Sequence, residues 1–119
     1  MDLRIAGPGV NQPGASVLTI EAVELARTQS GKLYREFLRG SSMSAGLYVL
    51  AAGSTDPQQP HHEDEMYYVL RGCARFKAGE EDWEVSAGSV IFVAAGVEHR
   101  FHEIAEELAI LVFFAPAET

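Results

Sequence analysis

From Gly31 onward the chain runs in short stretches of aromatic and β-branched residues, separated every few positions by Gly, Pro, Ser or Asp. That texture predicts strands over residues 32–38, 46–51, 65–70, 74–78, 83–85, 89–93, 99–103 and 108–114. Eight short strands fit a jelly roll, whereas parallel strands would need helical crossovers that the sequence lacks. Before Gly31 only one helix is expected. Thr19 can cap it, Ile20, Val23, Glu24 and Arg27 fall at helical spacing through about Thr28, and Gly31 offers a stop. Residues 1–15 carry Gly7-Pro8-Gly9 and Pro13-Gly14, which interrupt both helix and strand, so an irregular arm is expected there. The run Ala78-Gly79-Glu80-Glu81-Asp82 reads as a hairpin turn with a wet, acidic tip.

Composition narrows the function. A chain of 119 residues has room for one domain, and 47% hydrophobic content is enough to bury a core. Nine basic residues against seventeen acidic ones give a net charge of -8, which repels a phosphate backbone, so no nucleic-acid partner is expected. No apolar run is long enough to span a bilayer, and Met1-Asp2-Leu3-Arg4 lacks the layout of a secretory signal, which together suggest a cytoplasmic protein with no membrane partner. Cys73 is the single cysteine, so no internal disulfide or thiolate cluster can form, and it reads as a small buried hydrophobe.

Chemistry concentrates at the histidines. All four fall in two windows, His61-His62 and His99 to His102, and the first window adds Glu63, Asp64 and Glu65. Imidazole and carboxylate together suggest a divalent metal site. Strand periodicity puts Gln59, His61 and Glu65 on one face with Tyr67, and His62 and Asp64 on the other. A bulge near Pro60 would bring His62 in instead of His61. His62 and His102 are therefore expected at the surface or outside the ligand set, and Glu63, Asp64 and Glu98 at the rim. Tyr67 shares parity with Glu65, and Phe101 with His99, so both are expected inside, as core or pocket lining.

These spacings resemble the two motifs of the cupin superfamily of small β-barrels. The first is similar to Gly53, five residues, Gln59, Pro60, His61, three residues, Glu65, six residues, Gly72; Gln59 stands where the family usually has histidine. The second is similar to Gly88, five residues, Ala94, Ala95, Gly96, two residues, His99, three residues, Glu103, with Ala94 for the usual proline and Glu103 for the usual asparagine. The resemblance implies an all-β, cupin-type double-stranded β-helix (a jelly-roll barrel) with a short N-terminal helix. It implies a single domain over residues 1–119 whose barrel core spans 45–115. Carried over residue by residue, it implies His61, Glu65 and His99 as ligands of one divalent transition metal, Fe, Mn, Ni, Co or Zn. Gln59 either ligates through its amide oxygen or hydrogen-bonds from outside the ligand set.

Two functions follow from that family. One is a metal-dependent enzyme, a dioxygenase first and a sugar or keto-acid isomerase second, acting on a small molecule at the barrel mouth. The other is a non-catalytic module that binds or senses a metabolite. A homodimer is expected, because small cupins often pair through sheet edges and the N-terminal arm could cross to a neighbour.

Overall fold

The computed structural model describes residues 14–119. The irregular arm expected over 1–15 falls almost wholly outside them. Helix α1 spans Ile20–Ser30. Thr19 caps it by accepting a hydrogen bond on its side chain from the Ala22 N–H at 3.1 Å, and Gly31 ends it in the left-handed conformation at φ 69°. Six antiparallel strands follow: β1 Tyr34–Arg39, β2 Ser44–Leu50, β3 Asp64–Ala78, β4 Glu81–Ser86, β5 Val90–Val93 and β6 His99–Ala115. Among the described residues, no helix is long and apolar enough to cross a membrane.

Six strands among the described residues, rather than eight, is a correction with a local cause. Two breaks read from the sequence as strand ends lie within single long strands. β3 and β6 pair from Asp64↔Ala115 to Ala78↔His99, with register shifts between Val69 and Arg75. Gly72 sits in that irregular stretch at φ 93°, and a Cβ there would lie 2.2 Å from the Glu107 carbonyl oxygen. The break signals around Gly72 therefore mark bulges that bend the ladder without ending it.

The bend folds one sheet into two facing halves. Its order is β1-β2-β6-β3-β4, with β5 also paired to β3. One half of β3 runs beside β5, through Glu65↔Val93 to Tyr68↔Val90, and the other beside β4, through Cys73↔Ser86 to Ala78↔Glu81. This is a double-stranded β-helix. Tyr67, Val69, Phe76, Phe101, Leu108 and Ile110, each at most 1% exposed, fill the space between the halves. Each such side chain stabilises the fold by roughly 1.5–3 kcal/mol relative to leaving it in water. On the outside, α1 lays Val23 over Leu47, Val49 and Ala109. The filled interior leaves the barrel mouth, where β3 begins and β6 begins, as the place for chemistry.

Candidate metal centre

Alternation along β3 turns Glu65, Tyr67 and Val69 inward and leaves Met66 and Tyr68 exposed. Glu65 is thus delivered into the mouth at 2% exposure. His99 opens β6 opposite Ala78 and is 5% exposed. His61 comes from the irregular segment before β3 and is half-buried. That segment is pinned by Asp56, a residue the sequence did not single out. Its carboxylate accepts from the Tyr48 hydroxyl at 2.6 Å, the Gln58 side-chain amide at 2.7 Å and the Phe101 N–H at 2.9 Å.

Among the described residues, His61, Glu65 and His99 form one group whose donor atoms lie within 4.8 Å of one another. His99 Nε2 is 3.2 Å and His61 Nε2 3.6 Å from the same oxygen, Glu65 Oε1. Ligands bonded to a cation at about 2.1 Å lie roughly 3–3.5 Å apart at tetrahedral or right angles, so the cluster has the right size. Its chemistry fits as well. His99 Nδ1 meets the Val97 carbonyl at 2.8 Å, and His61 Nδ1 lies 3.2 Å from Glu118 Oε2. An acceptor beside each Nδ1 can hold a proton there, so that each Nε2, which also stands beside a Glu65 oxygen, is the nitrogen a cation would take. The Tyr67 hydroxyl stands 2.5 Å from Glu65 Oε2 and 2.9 Å from both His99 Nε2 and Gln58 Oε1. One O–H proton cannot satisfy three acceptors, and a buried surplus of lone pairs is an environment a cation relieves.

Without a cation, protons take its place: the groups around the cluster hold them more firmly than they would in water. Burial, reinforced by the Glu65 charge, holds the Tyr67 hydroxyl well above its ordinary range, so it keeps its proton. Burial works against a charged His99, but its contacts with Glu65 and the Val97 carbonyl outweigh that and raise it. Burial also raises the Glu118 carboxyl; nearby His61 opposes this, and Glu63 and Glu65 add to it.

Two cavities flank the cluster. One of about 320 Å³ is largely aromatic, lined by Tyr34, Tyr48, His61, Val112 and Phe114, with Glu118 at its wall. The other, about 430 Å³ and more polar, touches His99 and includes Asp56, Lys77, Glu98 and Arg100. Gln58 and Gln59 border both.

The remaining expected residues fall as follows. Gln59 is exposed, and it is Gln58 whose side chain reaches Tyr67. Phe101 is 1% exposed, its ring packed on Tyr67 and Phe76 at centroid distances of 5.2 and 4.8 Å. His62 is exposed, and His102 turns to Asp82, with Nε2 3.0 Å from both carboxylate oxygens. Asp64 and Glu98 are exposed as expected, but Glu63 is not a rim acid. It is 3% exposed and accepts hydrogen bonds from the Thr119 N–H and hydroxyl, each at 3.1 Å. The segment after β6 folds back to cover it, a contact invisible to strand periodicity.

Comparison with known proteins follows the geometry. The cupin domain family matches residues 46–114. An uncharacterized protein of Streptomyces coelicolor is 46% identical over 100 residues, covering 84% of this chain and 95% of its own. A solved structure from Thermus thermophilus is 28% identical, covers 85% of this chain and 97% of its own, and superposes with a TM-score of 0.68. A DMSP lyase from Ruegeria pomeroyi is 25% identical over 64% of this chain with a TM-score of 0.60, and the match spans 39% of the lyase.

Proposed function

The chain belongs to the cupin domain family, and from that premise we propose that it binds one divalent transition metal through His61, Glu65 and His99 and receives a small molecule in the adjoining aromatic cavity. One observation carries this reading. The donor atoms of three side chains from two separate parts of the chain converge, while the outer nitrogen of each imidazole already faces an acceptor. Two imidazoles and one carboxylate leave coordination positions open, a set suited to Fe(II) and accepted by Mn, Ni, Co and Zn. Gln59 borders both cavities beside the cluster. When bound, the cation supplies Lewis-acid polarisation of a ligand oxygen, or oxygen activation if it is iron.

The protein's own contribution is placement and proton control. Tyr34, Tyr48 and Phe114 offer an apolar bed for the body of the ligand and limit water around it. The Tyr67 hydroxyl, 2.5 Å from Glu65 Oε2, holds that carboxylate in place at the mouth. Within this reading we favour a dioxygenase. A non-catalytic metabolite binder is the second reading, favoured by the largely aromatic lining of the adjoining cavity, where Tyr34, Tyr48, Val112 and Phe114 offer contact rather than a base. A cytoplasmic setting and a homodimer are part of the same proposal.

The test is metal analysis of the full chain loaded separately with Fe(II), Mn(II) and Zn(II), alongside H61A, E65A and H99A. One equivalent of metal is expected in the wild type, with large losses in all three variants. Wild-type protein that stays metal-free, or variants that bind as well as it does, would overturn the reading. Oxygen uptake by the Fe(II) form across diols, diketones and thiols separates enzyme from binder: uptake with product favours the dioxygenase, and saturable binding without uptake the module.

A further inference from the structure

We propose that Glu118 is a positioning residue for the metal centre, its carboxylate taking the Nδ1 proton of His61 as hydrogen-bond acceptor so that Nε2 faces Glu65 and His99. This rests on the metal-binding reading above. Glu118 lies outside both motif-like stretches of the sequence, yet its Oε2 stands 3.2 Å from His61 Nδ1.

His61 needs such a partner more than His99 does. His99 sits in β6, is 5% exposed, and has the Val97 carbonyl beside its Nδ1 at 2.8 Å. His61 belongs to an irregular segment and packs edge-on against Phe114 at a centroid distance of 4.9 Å. An apolar ring contact fixes neither tautomer nor flip state, because it does not distinguish the two nitrogens.

Glu118 is itself held in place. Its N–H donates to Ser44 Oγ at 2.9 Å, and its carbonyl accepts from Arg39 Nη2 at 2.6 Å. The next residue, Thr119, donates twice to buried Glu63. Ser44 is 0% exposed. Arg39, Ser44 and Glu63 lie far from Glu118 in sequence, so these tethers strap the segment after β6 across the mouth and set its carboxylate beside the imidazole. The two histidines are then oriented by the same device from different sources, a backbone carbonyl for His99 and a side-chain carboxylate for His61. Outer partners of this kind fix ring orientation and raise ligand basicity, and losing one typically costs about 10–100-fold in metal affinity.

The experiment uses the full chain stripped of metal. Zn(II) affinity is measured by competition with a chromophoric chelator, and the His61 tautomer of the metal-free protein by long-range proton–nitrogen NMR. Wild type should show the Nδ1–H tautomer. E118A should bind Zn(II) about 10–100-fold more weakly, with His61 shifting toward the Nε2–H form. E118Q keeps an acceptor oxygen and loses the charge, so it should hold the tautomer and fall between the two in affinity; it also decides the matter if E118A does not fold. Affinity and tautomer both unchanged in folded E118A, or in E118Q and S44A together if E118A is unfolded, would overturn the proposal. Failure of the wild type to bind Zn(II) would overturn the metal reading instead, while the tautomer measurement would still test Glu118 alone.

Discussion

Two tyrosines beside the aromatic cavity share a titration behaviour and differ in their hydrogen bonding. Burial raises Tyr34 and Tyr48 far above the ordinary value of 10.0, helped by Glu118 for Tyr34 and by Asp56 for Tyr48. The folded state therefore holds these protons while the unfolded chain releases them above pH 10.0. Their stabilising contribution is intact below that pH and declines as pH rises past it. Denaturant midpoints should fall at alkaline pH, and the fall should be shallower in Y34F and Y48F. At neutral pH the two variants part company. The Tyr34 hydroxyl is buried without a hydrogen-bond partner among the described residues, so Y34F should be neutral or stabilising. Y48F removes a 2.6 Å hydrogen bond to the Asp56 carboxylate and should cost about 1.5–3 kcal/mol in urea unfolding at pH 7. At this scale the sequence was readable wherever a residue sits on a strand. Parity and spacing bring Glu65, Tyr67 and His99 inward. Parity misleads at Gln59, because residues 59–63 are not in a strand and Gln58 turns to Tyr67 instead. Glu118 and Asp56 act through contacts across long sequence separations, which no local pattern encodes.

At the scale of elements, glycine does two different jobs that look alike in the sequence. Gly79 closes the β3–β4 hairpin at φ 58°, with nothing within 4 Å of where its Cβ would be. Gly72 lies at φ 93° in the bulged part of β3, and its missing Cβ makes room for the backbone of Glu107 at 2.2 Å. G79A should therefore cost only the left-handed backbone penalty of about 1–2 kcal/mol. G72A adds a clash with a backbone that cannot give way, and should cost at least about 3 kcal/mol. Urea unfolding of the two variants beside wild type measures the contrast, and equal losses would mean that the bend at Gly72 is not tightly packed. The same distinction explains the strand count. The hairpin turn was legible because its Gly-acid sequence matches a local turn geometry. The bulges were not, because a glycine in a strand run signals an end or a bend equally well until the opposing strand is known. Helix α1 was legible at both ends, since Thr19 and Gly31 act on their own neighbours.

At the scale of the whole molecule, the outer face of β3 and β5 bears on the proposed homodimer. Met66, Tyr68, Val90 and Phe92 are 45%, 41%, 65% and 67% exposed. They are adjacent, since Met66 pairs with Phe92 and Tyr68 with Val90, and Phe113 and Leu111 of β6 continue the patch. None of these six is charged, in a chain whose net charge is -8. A second copy can approach this face without setting acid against acid, which favours it over the rest of the surface as the contact between protomers. A stable interface buries about 800 Å² per partner, so this patch would form the apolar centre of a contact completed by a polar rim. Two chains of like charge repel at long range, so raising salt from low to moderate ionic strength should tighten the dimer. Sedimentation equilibrium should give a dimer for the wild type and a folded monomer for F92D, which sets a carboxylate at the middle of the patch. A wild-type monomer at every salt concentration would remove the dimer. A dimer that survives F92D would move the contact to the edges of β4 and β5, which are open among the described residues.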